Sequence, residues 1–140
     1  MITSVDTNVL VALWDIDEAL NSQALSALDA AHSSGGLVIS GAVYAELLAF
    51  PHRTEVFLDN FLSDTGIAVD WASNESIWRV AGQAFQKYSS RRRKQTADGP
   101  RRILADFFIG AHALENGYSL LTLDARIYRA AFPKLHFVTV

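Results

Sequence analysis

The chain has 140 residues, half of them hydrophobic and 11% aromatic, with a formal net charge of −3. That is enough apolar material for one packed core and excludes wholesale disorder. It contains no cysteine, which excludes a disulfide framework, a thiol nucleophile and a thiolate-ligated zinc site and fits a reducing cytoplasm. No apolar run approaches the roughly 18 residues of a membrane span, and the first residues lack the basic start of a signal peptide. The expectation is a single soluble domain over residues 1–140, cytoplasmic and without membrane contact.

In chain order, residues 1–5 read as a short strand and residues 7–14 as a helix that Asp6 can cap. Residues 18–32 repeat Leu20, Ala24, Ala27 and Leu28 near a helical period. Gly35 and Gly36 then break the chain, and Leu37, Val38 and Ile39 form the continuous apolar run of a strand buried on both faces. A helix over 41–50 is stopped by Pro51, and 56–62 is helical again. Residues 67–69 read as a third strand and 74–88 as a helix. The basic stretch 91–102, with Gly99 and Pro100, reads as a loop. A helix over 103–116 ends at Gly117, which suits a left-handed cap, and strands follow at 120–123 and 136–140. Short apolar strands alternating with helices imply a parallel α/β sheet, whose ligand crevice lies beyond the carboxyl ends of the strands at the switch point of strand order.

Charge is unevenly divided. The first 70 residues hold ten acids and one basic residue, Arg53, whereas the last 70 hold eleven basic residues and five acids. This hints at a polyanion-facing surface in the second half, unless folding mixes the two halves.

Four acids stand where chemistry is expected. Asp6 follows the first strand and Asp124 the fourth; capping or a turn would also account for each. Glu46 lies at the edge of the apolar stripe formed by Val43, Leu47 and Phe50, which an arginine partner or a reach to solvent would explain. Asp106 projects from the face opposite His112, Glu115 and Asn116, between the small Gly110 and Ala113, so that something has room to approach; the helix dipole alone would favour an anion there. Gathered in one crevice, four carboxylates would raise one another's pKa, and a hard divalent cation would relieve the repulsion. His32, His52, His112 and His136 show no metal-ligand spacing, and His112 reads as solvated. Trp14, Trp71 and Trp78 read as core or interface. No Walker A loop, dinucleotide fingerprint or nucleophile elbow is present.

Asp6-Thr7-Asn8, Glu46, the run Ala105-Asp106-Phe107-Phe108-Ile109-Gly110-Ala111-His112-Ala113 and Thr122-Leu123-Asp124 together resemble the PIN domain, and more closely the VapC-type ribonuclease toxins of type II toxin–antitoxin pairs. The resemblance covers nearly the whole chain. It implies a five-stranded parallel sheet in an α/β/α sandwich, with Asp6, Glu46, Asp106 and Asp124 as an acidic quartet for Mg²⁺ or Mn²⁺. Thr122 matches a hydroxyl position that holds a water or an acid, and Asn8 a polar position behind the ligands. The basic residue that many members carry between the hydroxyl and the last acid is Leu123 here, and Arg126 is the nearest substitute. The implied activity is metal-dependent hydrolysis of RNA phosphodiesters by an activated water, leaving 5′-phosphate and 3′-hydroxyl ends, in exposed loops of structured RNA such as tRNA or rRNA. Arg91, Arg92, Arg93, Lys94, Arg101 and Arg102 are the candidate phosphate contacts. The implied partners are RNA, a cognate antitoxin in a hetero-oligomer, and a second copy in a homodimer.

Two other readings stay open on the residues. A Mg²⁺-dependent phosphoryl-transfer domain would also place acids at strand ends, but the dehalogenase pattern wants an acid where Asn8 stands. A receiver could use Asp70 as acceptor, yet no lysine follows the fifth strand. A PIN fold used only for docking is the other.

Overall fold

The computed structural model describes residues 1–94 and 102–138. Five strands, β1 (Thr3–Val5), β2 (Leu37–Ser40), β3 (Ile67–Asp70), β4 (Ser119–Leu121) and β5 (Phe137–Val138), form one parallel sheet in the order β3-β2-β1-β4-β5. The connecting helices are α1 (Thr7–Trp14), α2 (Asn21–Ser34), α3 (Gly41–Leu48), α4 (Glu55–Thr65), α5 (Glu75–Lys94), α6 (Leu104–Asn116) and α7 (Arg126–Ala131). The expected parallel α/β sheet is present. Every residue of β1, β2 and β4 is buried, as covering on both faces requires. The edge strands β3 and β5 are only partly covered. The strand order departs from the 2-1-3-4-5 of receiver-like sheets, which removes that reading.

Strand order places the site. It reverses between β1 and β4, so the crevice opens beyond the carboxyl ends of those two strands. Their register pairs Val5 with Leu121. The residues that follow, Asp6 and Thr122, therefore leave the sheet side by side, and the Asp6 amide donates to the Leu121 carbonyl at 2.9 Å. The core beneath is built from Val5, Val9, Leu10, Ile39, Leu47, Phe107, Ile109, Leu120 and Leu121, all fully buried.

Three elements differ from the sequence expectation. The basic run Arg91, Arg92, Arg93 and Lys94 is not loop: it forms the last turn of α5. Arginine and lysine are good helix formers, and their charge suits the negative end of the helix dipole. Residues 95–101, and with them Arg101, lie outside the described residues, as do residues 139–140 of the expected last strand. The fourth strand ends at Leu121 rather than 123, because Thr122 and Leu123 turn away to bond to Asp6 and Asn8. A short helix, α7, follows Asp124 where no element was expected. The small neighbours of Asp106 also have another cause. A Cβ on Gly110 would come within 2.2 Å of the Phe132 ring, so the gap is filled by an aromatic side chain from the end of α7.

Candidate active site

Asp6 ends β1 in extended conformation and caps α1. One carboxylate oxygen, Oδ1, accepts from the Thr7 amide at 2.8 Å, and Oδ2 accepts from the Thr122 hydroxyl at 2.8 Å. Asp6 is 6% exposed. Glu46 lies in the second turn of α3, which Ser40 caps at the end of β2. Its Oε1 accepts from the Thr7 hydroxyl at 2.7 Å, so a threonine rather than an arginine is its partner.

Asp106 occupies the first turn of α6 and reaches back to accept from the Ile103 amide at 3.1 Å. Asp124 follows β4, and its Oδ2 accepts from the Arg102 guanidinium at 2.8 Å. Arg126 reaches Oδ1 of the same carboxylate with its amide at 3.3 Å and its Nε at 3.4 Å. Asn8 ties the two strand ends together: its side-chain amide donates to the Thr122 hydroxyl at 3.4 Å and its Oδ1 accepts from the Leu123 amide at 3.2 Å.

Four segments distant in sequence thus bring Asp6, Glu46, Asp106 and Asp124 onto the wall of one cavity of about 570 Å³. Thr7, Asn8 and Arg102 share that wall. So do two residues the sequence did not single out. Glu18 adds a fifth carboxylate, and Tyr128 of α7 lines the cavity with the acids. The signal for Tyr128 was its place one helical turn after Asp124, legible only once 126–131 is known to be helical.

The electrostatics differ from acid to acid. Burial pushes the Asp6 carboxyl up to about 6, against the hydrogen-bonding groups of Thr122, Tyr128 and Thr7, and the nearby charge of Asp106 adds to the rise. The Arg102 hydrogen bond holds Asp124 below the usual carboxylate value, and Asp124 in turn raises Arg102. Burial, then the charge of Asp6, pushes the Tyr128 phenol far above its ordinary range, so it stays protonated. Its hydroxyl lies close enough to Asp6 for each to shift the other's pKa, though short of full hydrogen-bond geometry, and in the field of Asp106 and Glu46.

Among the described residues, no group of three acids or histidines stands ready-made to hold a metal ion. Asp124 is engaged by Arg102 and Glu46 by Thr7. The donor chemistry still fits a hard divalent cation: the acids offer only oxygen, they line one cavity, and the most buried of them resists ionisation without a cation.

The other basic candidates lie apart. Arg91, Arg93 and Lys94 are exposed at the end of α5. Arg92 donates to the Tyr88 hydroxyl at 3.5 Å, and the same hydroxyl accepts from the Arg102 amide at 2.8 Å. Among the described residues Arg102 is the basic side chain that lines the cavity.

His112 is not solvated as its helix face suggested. It is 0% exposed, and its Nε2 lies 3.0 Å from Asp70 Oδ2 at the end of β3. Trp14 packs edge-on against Phe50, Phe57 and Phe61, with the Arg53 guanidinium 4.5 Å over its ring. Trp71 and Trp78 are exposed, against Tyr44 and Phe108 respectively. Among the described residues, no helix is long and apolar enough to cross a membrane.

The sequence matches the PIN-domain family over residues 4–133. No curated protein matches it in sequence. The fold is similar to VapBC2 of Rickettsia felis, solved bound to a DNA fragment from its promoter, with TM-score 0.71 and 19% identity over 100% of this chain and 99% of that one. It is similar to VapBC-1 of nontypeable Haemophilus influenzae, with TM-score 0.66 and 23% identity over 98% and 96% of the two chains. VapC20 of Mycobacterium tuberculosis, a toxin that cleaves the sarcin-ricin loop, aligns with TM-score 0.59 and 16% identity over 96% and 98%.

Proposed function

Because the chain belongs to the PIN-domain family, we propose that it is a divalent-metal-dependent endoribonuclease, the toxin of a type II toxin–antitoxin pair. The observation that carries this is the meeting of Asp6, Glu46, Asp106 and Asp124, from four separate segments, on one cavity wall at the switch point of the sheet. These four would hold Mg²⁺ or Mn²⁺. When bound, such an ion makes water more acidic and neutralises charge on phosphoryl oxygens.

The chain's own residues supply the rest. Thr122 holds Asp6 by its Oδ2, and Asn8 fixes the turn that carries Asp124. Arg102 carries positive charge on the cavity wall, where a phosphate exchanging with its bond to Asp124 would meet it. It takes the place of the basic residue that Leu123 replaces. The exposed end of α5 extends that charge outward along an RNA backbone.

Structured RNA is the proposed substrate. Ribosomal RNA gains support from the loop-cleaving relative, and tRNA is the other candidate. A cognate antitoxin is the proposed partner, since similar folds occur in toxin–antitoxin complexes. The part-exposed Phe50, on the cavity wall, offers it an apolar surface. A homodimer and a cytoplasmic location complete the proposal.

The test uses purified wild type and Asp6→Ala, incubated with total RNA in Mg²⁺, Mn²⁺ or EDTA. Discrete fragments from the wild type with either ion, absent in EDTA and for Asp6→Ala, are expected. A folded, antitoxin-free, metal-loaded wild type that leaves the RNA of its own cell intact would overturn the ribonuclease reading.

A further inference from the structure

The proposed roles leave one buried polar group at the site without a task. Tyr128 is 2% exposed, and its hydroxyl meets the Asp6 carboxylate only loosely, short of full hydrogen-bond geometry. Buried hydroxyls without a full hydrogen bond are uncommon, and each calls for an explanation. Packing does not supply one, because phenylalanine would fill the same space without the loosely held group. Phe132, four residues on and equally buried, is such a case. Nor is the hydroxyl placed at random: it faces Asp6, and Asp106 and Glu46 line the same cavity.

Asp6 has room for it. Its two oxygens accept one hydrogen bond each, from the Thr7 amide and the Thr122 hydroxyl. A carboxylate offers about four lone-pair sites, so roughly two remain. A cation takes one. A phenol that donates to another would complete the carboxylate's partners and fix its plane. Hydrogen bonds of this kind, made behind a ligand, set its orientation and strengthen the metal site.

We propose that Tyr128 is a positioning residue for the cation site: its hydroxyl donates to the Asp6 carboxylate and holds it in the orientation that binds the ion. Thr7, Thr122 and Tyr128 then grip Asp6 from α1, the end of β4 and α7 together. The role rests on the four acids being a metal site, as proposed above.

The test measures Mn²⁺ binding to the metal-free protein by titration calorimetry, without RNA, for wild type, Tyr128→Phe and Phe132→Leu. Thermal melting is recorded alongside, without metal. Tyr128→Phe is expected to melt close to wild type, since without the ion the hydroxyl meets Asp6 only loosely, and to bind Mn²⁺ at least about ten-fold more weakly. Phe132→Leu loosens the same packing and is expected to melt lower with Mn²⁺ affinity unchanged, which is how a merely structural tyrosine would behave. If Tyr128→Phe binds Mn²⁺ within about two-fold of wild type, the positioning role is overturned while the metal site stands. A wild type that binds no Mn²⁺ overturns the role and the metal site together.

Discussion

Two aspartates at strand ends of one sheet meet opposite fates. Asp6 follows β1 and Asp70 closes β3. Burial alone would raise Asp70, but the Ala72 amide, the His112 imidazole and the Tyr118 hydroxyl bring it net below its usual value. Burial lowers the His112 pKa while Asp70, 3.0 Å from its Nε2, works against that shift. Asp6 is more deeply buried and has only hydroxyl and amide donors, with other carboxylates across the cavity; its pKa rises to about 6. The difference teaches that an acid supplied with its own donors is a structural tie, whereas a buried acid facing other acids has the chemistry the proposed cation would relieve.

The two kinds of acid should separate most widely in activity. Asp106→Asn or Glu46→Gln is expected to lower RNA cleavage about 100-fold or more, the scale of losing several kcal/mol of charge stabilisation. Asp70→Asn should stay within about two-fold of wild type in the same assay. Equal losses for both would mean that the tie and the cation site are not distinct.

Stability should move the other way. Asp70→Ala strands His112 Nε2 and the Tyr118 hydroxyl, and a loss of about 1–3 kcal/mol is expected in urea denaturation. Asp6→Asn should instead stabilise the metal-free protein. The native Asp6 carboxyl keeps its proton up to a pH of about 6, while the unfolded chain loses it near 3.8. Wild-type stability from this group therefore falls as pH rises between those values, by roughly 1–3 kcal/mol. Asp6→Asn is expected to be more stable by that amount at pH 7.5 and to lose the advantage below pH 4. Saturating Mn²⁺ should narrow the gap, because only the wild type gains from binding.

The smallest effect concerns the outer charges. Replacing Arg91 and Arg93 by glutamate should weaken RNA binding and flatten its salt dependence by about 0.7 in log–log slope for each phosphate no longer neutralised. An unchanged slope would mean that the end of α5 does not touch RNA.

What could be read from the residues is local. Apolar runs such as Leu37–Ile39 marked strands, the spacing of Ala24, Ala27 and Leu28 marked a helix, and Gly117 marked a left-handed helix cap. The four candidate acids stood out because each sits at a strand end or on a helix face where its charge is out of place, whereas Asn8 and Thr122 were singled out only by the family resemblance. Local periodicity could not show what surrounds a face. His112 shares its helical side with Glu115 and Asn116 yet is sealed by Asp70 and Tyr118 from other elements.

Composition and spacing alone thus determined a parallel α/β fold with acids at its strand ends. Tertiary structure decided their company. Strand order and register set Asp6 beside Thr122, α6 entered with Arg102 against Asp124, and α7 brought Tyr128 to the same cavity as the acids. Partners that meet across a hundred residues depend on how the sheet is ordered, and no spacing along the chain encodes that.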